Sequence, residues 1–224
     1  MYRNELKFNI NVHQKRMMET KLSRVCERDS FSDANGGYWI SSLYFDDYYQ
    51  SALIDKLTGI KDRKKFRIRV YNHQSNVIKL ERKCKRINTV EKAHVKISKE
   101  EYEAINCGYV SFLMRKEDVV AEDFYLNYRM KNLRPRVVVE YRREAFVYKY
   151  GNVRVSFDYL LKAGSFQQDL FSNGYMISAI PRDQIILEVK YSGYLPDVIR
   201  NIIQTNGLQQ QSLSKYVMCC VAAM

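Results

Sequence analysis

Several segments of this chain alternate, with a period of two, between an apolar face and a face of Lys, Arg and Glu. Side chains alternate across a β-strand, so this pattern suits a strand with one side packed in a core and the other polar. Arg3, Glu5 and Lys7 fall on one side of the first segment, and Leu6, Phe8 and Ile10 on the other. Arg67 and Arg69 oppose Phe66, Ile68 and Val70 in a second segment. Lys79, Glu81 and Lys83 oppose Ile78 and Leu80, and Glu188 and Lys190 oppose Leu187 and Val189. Many strands with a cationic face suggest a sheet built to hold something with several negative charges.

Composition agrees with that direction. The net charge of +12 points to an anionic partner: nucleic acid, polyphosphate, nucleotide or an acidic membrane surface. A hydrophobic content of 46% argues against global disorder. With 9 Gly and 3 Pro, turns must lean on Asn, Asp and Ser. The 5 cysteines, Cys26, Cys84, Cys107, Cys219 and Cys220, are odd in number and contain no C-x-x-C, so a reducing compartment is the simplest reading. The start MYRNELKF lacks a signal-peptide core, and the apolar run Val217 to Met224 is too short to span a bilayer, which takes roughly 20 helical residues. The expectation is a soluble, cytoplasmic protein without a transmembrane segment, folded as a single domain over 1–224.

The alternation and β-branched or aromatic content predict strands over 3–10, 38–46, 64–72, 77–86, 89–97, 135–149, 152–161 and 184–191. Tyr150-Gly151-Asn152 reads as a hairpin turn, and Arg86-Ile87-Asn88 as another. Helical spacing covers 13–28, and Ser98 with Glu101 forms a capping box for 98–106. Further helices are predicted over 124–133, between Pro196 and Gly207, and over 212–223, where Val217, Met218 and Val221 would form the apolar face.

Eight mostly antiparallel strands can form a sandwich, with the charged faces in water, or a barrel, with those faces inward and filled by ligand. For any single strand the solvent face is the commoner explanation. Arg67 and Arg69 on such a face need no function, and Glu81 beside Lys83 could be a surface ion pair worth little. Glu188 could pair with the neighbours of Lys190. His13, His73 and His94 show no ligand spacing and read as surface residues. No Ser-His-Asp arrangement or phosphate-binding glycine loop is present. The 18 Tyr and the charge also allow an RNA-binding surface, yet Tyr44, Tyr71 and Tyr191 fit strand packing at least as well.

Several motifs together carry a resemblance. They are Arg3-x-Glu5-x-Lys7, Ser42-Leu43-Tyr44-Phe45-Asp46, Arg67-x-Arg69-x-Tyr71 and Leu80-Glu81-x-Lys83. Tyr141-x-Arg143-x-Ala145-Phe146, Val153-Arg154-Val155-Ser156-Phe157-Asp158, Leu187-Glu188-Val189-Lys190 and Ser214-Lys215-Tyr216 follow. This ordered set resembles the VTC domain, the polyphosphate polymerase domain of the triphosphate tunnel metalloenzyme (CYTH-like) superfamily.

The resemblance implies an α+β fold: an antiparallel eight-stranded barrel with flanking helices, whose basic tunnel binds a nucleoside triphosphate and a divalent metal, Mn²⁺ or Mg²⁺. It implies transfer of the γ-phosphate of ATP to a polyphosphate chain, with nucleoside triphosphate and inorganic polyphosphate as partners rather than nucleic acid. Carried onto this sequence, Lys7, Arg67, Arg69, Lys83, Arg143, Arg154 and Lys215 would handle the phosphates. Lys92, Tyr141, Lys190 and Ser214 would support substrate binding. Glu188 would hold the metal, and Glu5 would be a second ligand or a partner orienting a cation.

Arg3 stands where hydrolytic members carry a first glutamate, and Ser212 where a basic residue often precedes the Ser-Lys pair. Tyr141 and Arg143 share strand parity with Val137 and Val139, so either a bulge brings Arg143 inward or Arg142 is the inward residue. A tripolyphosphatase or nucleoside triphosphatase, or a non-enzymatic polyphosphate binder, are the alternative functions.

Overall fold

Alternating sequence becomes strand almost throughout. The computed structural model describes residues 3–87, 89–172, 174–204 and 208–224, with the side chain of Arg3 left aside. Among these, the strands are β1 (Arg3–Asn11), β2 (Glu27–Arg28), β3 (Tyr38–Asp46), β4 (Arg63–Tyr71), β5 (Gln74–Arg86), β6 (Thr89–Ile97), β7 (Arg134–Tyr148), β8 (Val153–Gly164), β9 (Ile177–Ser178) and β10 (Gln184–Ser192). The helices are α1 (Val12–Leu22), α2 (Ser51–Leu57), α3 (Lys99–Asn106), α4 (Val119–Met130), α5 (Asp197–Ile203) and α6 (Lys215–Ala222), with 3₁₀ turns at Ser111–Lys116 and Tyr150–Asn152. The fold is α+β, with an antiparallel sheet whose ladder path β1-β10-β8-β7-β3-β4-β5-β6 has two ends.

The chain divides into two compact units. One comprises Met1–Trp39, Tyr141–Leu161 and Ile180–Ser214; the other comprises Ile40–Glu140, Lys162–Ala179 and Lys215–Met224. Strands β3, β7 and β8 each contribute residues to both.

In the first unit, β1 pairs with β10 in the register Lys7↔Glu188, and β10 with β8 in the register Glu188↔Ser156. Their apolar parity buries Val155, Phe157, Leu187 and Val189 against Met18 and Leu22 of α1 and Ile199, Ile202 and Ile203 of α5. In the second unit, Leu43, Phe45, Phe66, Ile68 and Leu80 pack against Tyr102 and Ile105 of α3 and Phe124 and Tyr128 of α4. Phe124 meets Phe45 and Phe66 edge-on, with centroids 5.0 and 5.4 Å away. In both units helices cover the apolar side of the sheet, which leaves the charged parity on the opposite side.

Local signals set the helix ends. Asn11 and Gln14 form a capping box that starts α1. This helix stops at Leu22, short of the predicted residue 28, because Glu27 and Arg28 pair with β7 instead. The Ser98–Glu101 capping box opens α3 as expected. Helix α4 begins at Val119, five residues before the prediction, because Asp118 accepts from the amides of Val120 and Ala121 at 2.8 and 3.2 Å. Pro196 is the N-cap of α5; Gly207, predicted past that helix, and Asn88 of the second turn lie outside the described residues. Helix α6 is shorter than predicted and buries Tyr216, Cys219 and Cys220, whereas Val221 is 59% exposed.

Candidate functional site

The charged parity of the second unit forms a grid. Register places Ser42 beside Arg69, Arg69 beside Lys79 and Lys79 beside Lys96. The next row runs Tyr44, Arg67, Glu81, His94, and a third runs Lys65, Lys83, Lys92. Neighbouring strands lie about 4.8 Å apart, so each row carries adjacent side chains across the sheet. Like charges placed directly opposite destabilise a sheet, and two of these rows put them there.

Glu81 organises the middle row. It is 2% exposed, so it is a buried acid rather than the surface partner read from sequence. Its Oε2 accepts from Arg67 Nε at 2.7 Å and lies 2.6 Å from Arg67 Nη2, while Oε1 lies 2.9 Å from Lys92 Nζ. Burial works against its charge, but Arg67, Arg69 and Lys92 hold its pKa well below the usual carboxylate range. Arg67 also donates from Nη1 to the Tyr44 hydroxyl at 2.7 Å, and Arg69 Nε donates to Ser42 Oγ at 3.0 Å. Arg69 is buried and Lys83 exposed. Lys92 has its pKa pushed down to about 8, by burial first and by Arg67 and Arg69, against the pull of Glu81.

Helix α6 meets this face through Tyr216, whose ring stacks on Tyr44 at 4.9 Å. Its hydroxyl donates to Asp46 Oδ2 at 2.5 Å. Burial and the Asp46 charge push the Tyr216 pKa far up, so it stays a neutral donor. Asp46 also accepts from the amides of Ala52 and Leu53 at 2.9 and 3.1 Å, which caps α2 from six residues away. That helix was missed in the sequence because Gln50, directly before it, is left-handed and offers no side-chain cap. Lys215 is the first residue of α6, half-buried and directly after the half-buried Ser214.

The first unit carries its own charged parity. Lys7 Nζ lies 3.1 Å from Glu5 Oε1 and donates to the Leu213 carbonyl at 3.1 Å. Glu5 is opposite Lys190, and Lys7 opposite Glu188, so the two glutamates sit diagonally on adjacent strands. Glu188, 4% exposed, pairs with Lys190 and lies 3.5 Å from Arg143 Nη2. Burial and Arg143 push the Lys190 pKa down to about 8, against Glu188 and Glu5.

Arg143 donates from Nε and Nη2 to the two oxygens of Asp158 at 2.6 and 2.7 Å. Burial opposes its charge, but Asp158, Tyr141 and Glu188 hold the guanidinium firmly protonated. Its guanidinium lies 5.4 Å from the Tyr141 ring. Arg142 points elsewhere: it pairs with Asp33 at 2.9 Å and faces the Trp39 ring. Of the two open readings, Arg143 is the residue beside Glu188. Arg154 pairs with Asp29 and donates to the Tyr38 hydroxyl at 2.6 Å. Its Nε is buried without an acceptor among the described residues.

The structure thus brings Arg67, Arg69, Lys83 and Lys92 onto one face of the second unit. Glu5, Lys7, Glu188, Lys190, Arg143 and Arg154 sit together in the first. Lys65, Lys79 and the Tyr44–Tyr216 stack were not among the site residues named from sequence, although Lys79 was read on the charged face of its strand and Lys65 shares parity with Arg67. His73 is half-buried rather than a surface residue, with Nε2 2.6 Å from Glu140 Oε2, which also accepts from Ser41. His13 and His94 are exposed.

This is an antiparallel α+β protein whose sheet carries strand-borne cationic faces. The model of the VTC domain family matches residues 2–224, and the chain belongs to that family. Comparison with curated proteins finds no match. Among solved structures, a putative adenylate cyclase from Bacillus halodurans is 12% identical, over 91% of this chain and 88% of its own, with a TM-score of 0.49. A conserved hypothetical protein from Pyrococcus furiosus is 12% identical, over 96% and 99%, with a TM-score of 0.48. A putative adenylate cyclase from Vibrio parahaemolyticus is 9% identical, over 90% and 82%, with a TM-score of 0.46. Among the described residues no helix is long and apolar enough to cross a membrane.

Proposed function

We propose that the chain is an ATP-dependent polyphosphate polymerase, a phosphotransferase that passes the γ-phosphate of a nucleotide to a polyphosphate chain. The observation that carries this reading is the grid on β3–β6, where Arg67, Arg69, Lys65, Lys79, Lys83 and Lys92 surround a single buried carboxylate, Glu81. A triphosphate carries close to four negative charges, and phosphoryl transfer depends mainly on positioning and charge neutralisation. Arg67 and Arg69 present planar donor forks, while the lysines are compact point charges. Glu81, Tyr44 and Ser42 hold the two guanidinium groups in place before any ligand arrives.

Among the described residues no three acidic, His or Cys side chains form a metal cage. A Mg²⁺ or Mn²⁺ ion that keeps its other ligands as phosphate and water needs only one or two carboxylates. Glu188, with Glu5 diagonal to it, fits that need and would hold the metal, displacing the lysine contacts each now makes. When bound, the metal neutralises charge developing on the phosphates. Arg143, fixed by Asp158, orients Glu188, and Lys7, Lys190 and Arg154 give the first unit cations of its own for phosphate, while Lys215 adds one to the second at the start of α6. Tyr141 supports Arg143, and Ser214 offers a hydroxyl at the entry to α6. The reading also carries a cytoplasmic, single-domain protein.

The test is to incubate the purified protein with ATP and Mn²⁺ and resolve the products by length. Long phosphate chains support polymerisation. Free phosphate alone would make the protein a hydrolase on the same fold, and no reaction with retained anion binding would make it a binder.

A further inference from the structure

The row Lys65–Lys83–Lys92 sets three amines side by side on β4, β5 and β6, with Lys92 reaching Glu81 of the neighbouring row at 2.9 Å. Lys65, like Lys79 and Lys96, is a residue on this face that the motifs pass over. Its Nζ stands 4.5 Å above the Tyr216 ring, so α6 and β4 together hold the amine in place. The groups facing Lys65 are Asp46 from β3, Lys56 from α2, Arg63 from its own strand and Cys220 from α6, with Lys83 opposite on β5. Asp46 is already committed to the amides of α2 and to Tyr216. The groups facing Lys92 are Glu81, Arg67 and Arg69, with Lys83 opposite.

We propose that Lys65 is a further phosphate-binding residue, and that it takes up a proton as its row fills with a polyanion. This rests on the reading of the face as a phosphate site. Lys65 stands half-buried with Lys83 opposite and Arg63 and Lys56 near it, so its charge is held at a cost that a bound anion would offset. Burial, with Arg63 and Lys56, pushes the Lys65 pKa down to about 8, and Lys92 also falls to about 8. A bound polyphosphate adds negative charge beside the row and favours the protonated form of Lys65.

The linkage has a definite sign. A lysine titrating near 8 that must be charged in the complex, as Lys65 would be, costs roughly tenfold in affinity between pH 7 and pH 9. Below pH 7 the loss vanishes because Lys65 is already protonated.

The experiment is titration calorimetry with tripolyphosphate on the wild type, Lys65→Met and Lys65→Arg, from pH 7 to pH 9. At pH 8 it is repeated in HEPES and in Tris, whose different ionisation enthalpies count the protons exchanged. The ligand's own protonation is common to all three proteins and cancels between them. Lys65→Met should bind more weakly at pH 7 and approach the wild type at pH 9, so the affinity ratio shrinks roughly tenfold. Lys65→Arg, charged throughout, should bind well and lose roughly tenfold less than the wild type over the same range. At pH 8 the wild type should take up about half a proton more than either variant. A constant ratio of wild type to Lys65→Met across the range, or equal affinities at pH 7, overturns the inference while leaving the phosphate face intact. A wild type that does not bind tripolyphosphate overturns both.

Discussion

Replacing Glu81 by Gln separates a ligand-ready cationic face from an ordinary buried ion pair. Glu81 is 2% exposed and carries contacts to Arg67 and Lys92. The amide keeps the shape but leaves two cations without their counter-charge, with Arg69 adding to the repulsion. Breaking a fully buried pair in this way costs about 3–5 kcal/mol. Here the Arg67 and Lys92 side chains are 19% and 46% exposed, so water offsets part of the loss and about 2 kcal/mol is expected. For a chain of this size each kcal/mol moves Tm by about 2–4 °C, so Tm should fall by about 4–8 °C.

Tripolyphosphate changes the comparison, because a bound anion supplies negative charge where the variant lost it. Thermal unfolding should therefore show the gap between wild type and Glu81→Gln closing as tripolyphosphate is added, with the variant stabilised more strongly. A gap that stays constant, or widens, at saturating ligand would refute the idea that the face is organised around an anion. The acid arm has its own sign. The folded pKa of Glu81 lies below its ordinary value of 4.5, so its contribution is complete above that pH and fades only as pH falls through the depressed folded value. The difference between the two proteins should hold near neutrality and disappear in strong acid.

Glu188→Gln should lower metal-supported turnover by orders of magnitude while Tm changes little, because Leu187 and Val189 on the opposite parity carry the packing; full activity across a Mn²⁺ titration would remove Glu188 as the metal ligand and leave Glu5. Lys215→Ala should weaken tripolyphosphate binding and reduce its salt dependence, with partial rescue in Lys215→Arg, and identical affinities in all three proteins would place Lys215 outside the site. Arg143→Met should destabilise the fold by about 3–5 kcal/mol in denaturant unfolding, because it strands Asp158 in a buried site; a loss under 1 kcal/mol would show that the pair is not structural.

Most of the strand layout was legible in the sequence because burial on one side of a sheet forces a strict period of two. The segments 38–46 and 89–97 match β3 and β6 residue for residue. Helix ends were harder because their caps are often remote. Asp46 caps α2 across the turn, and no local rule links it to Ala52. The apolar face of α6 was misassigned because Val221 looks more hydrophobic than Tyr216, yet Tyr216 is the residue with a stacking partner and an acceptor. The parity of Arg67 and Arg69 was plain, whereas their restraint by Glu81, Tyr44 and Ser42 depends on register between strands, which sequence alone does not set. The same register hid Lys65, whose importance appears only when Lys83 and Lys92 stand beside it.

The central claim is that the cationic face of β3–β6 is the seat of phosphate binding. The direct measurement is tripolyphosphate affinity, with and without Mn²⁺, in the wild type, in Arg67→Ala and in Arg129→Ala, which removes the same charge from the exposed side of α4. Removing one guanidinium contact to phosphate should cost about 1.5–3 kcal/mol, which is roughly a ten- to hundredfold loss in Arg67→Ala, with Arg129→Ala close to the wild type. Equal losses in the two variants would mean that net charge alone attracts the ligand, and would contradict a site on this face.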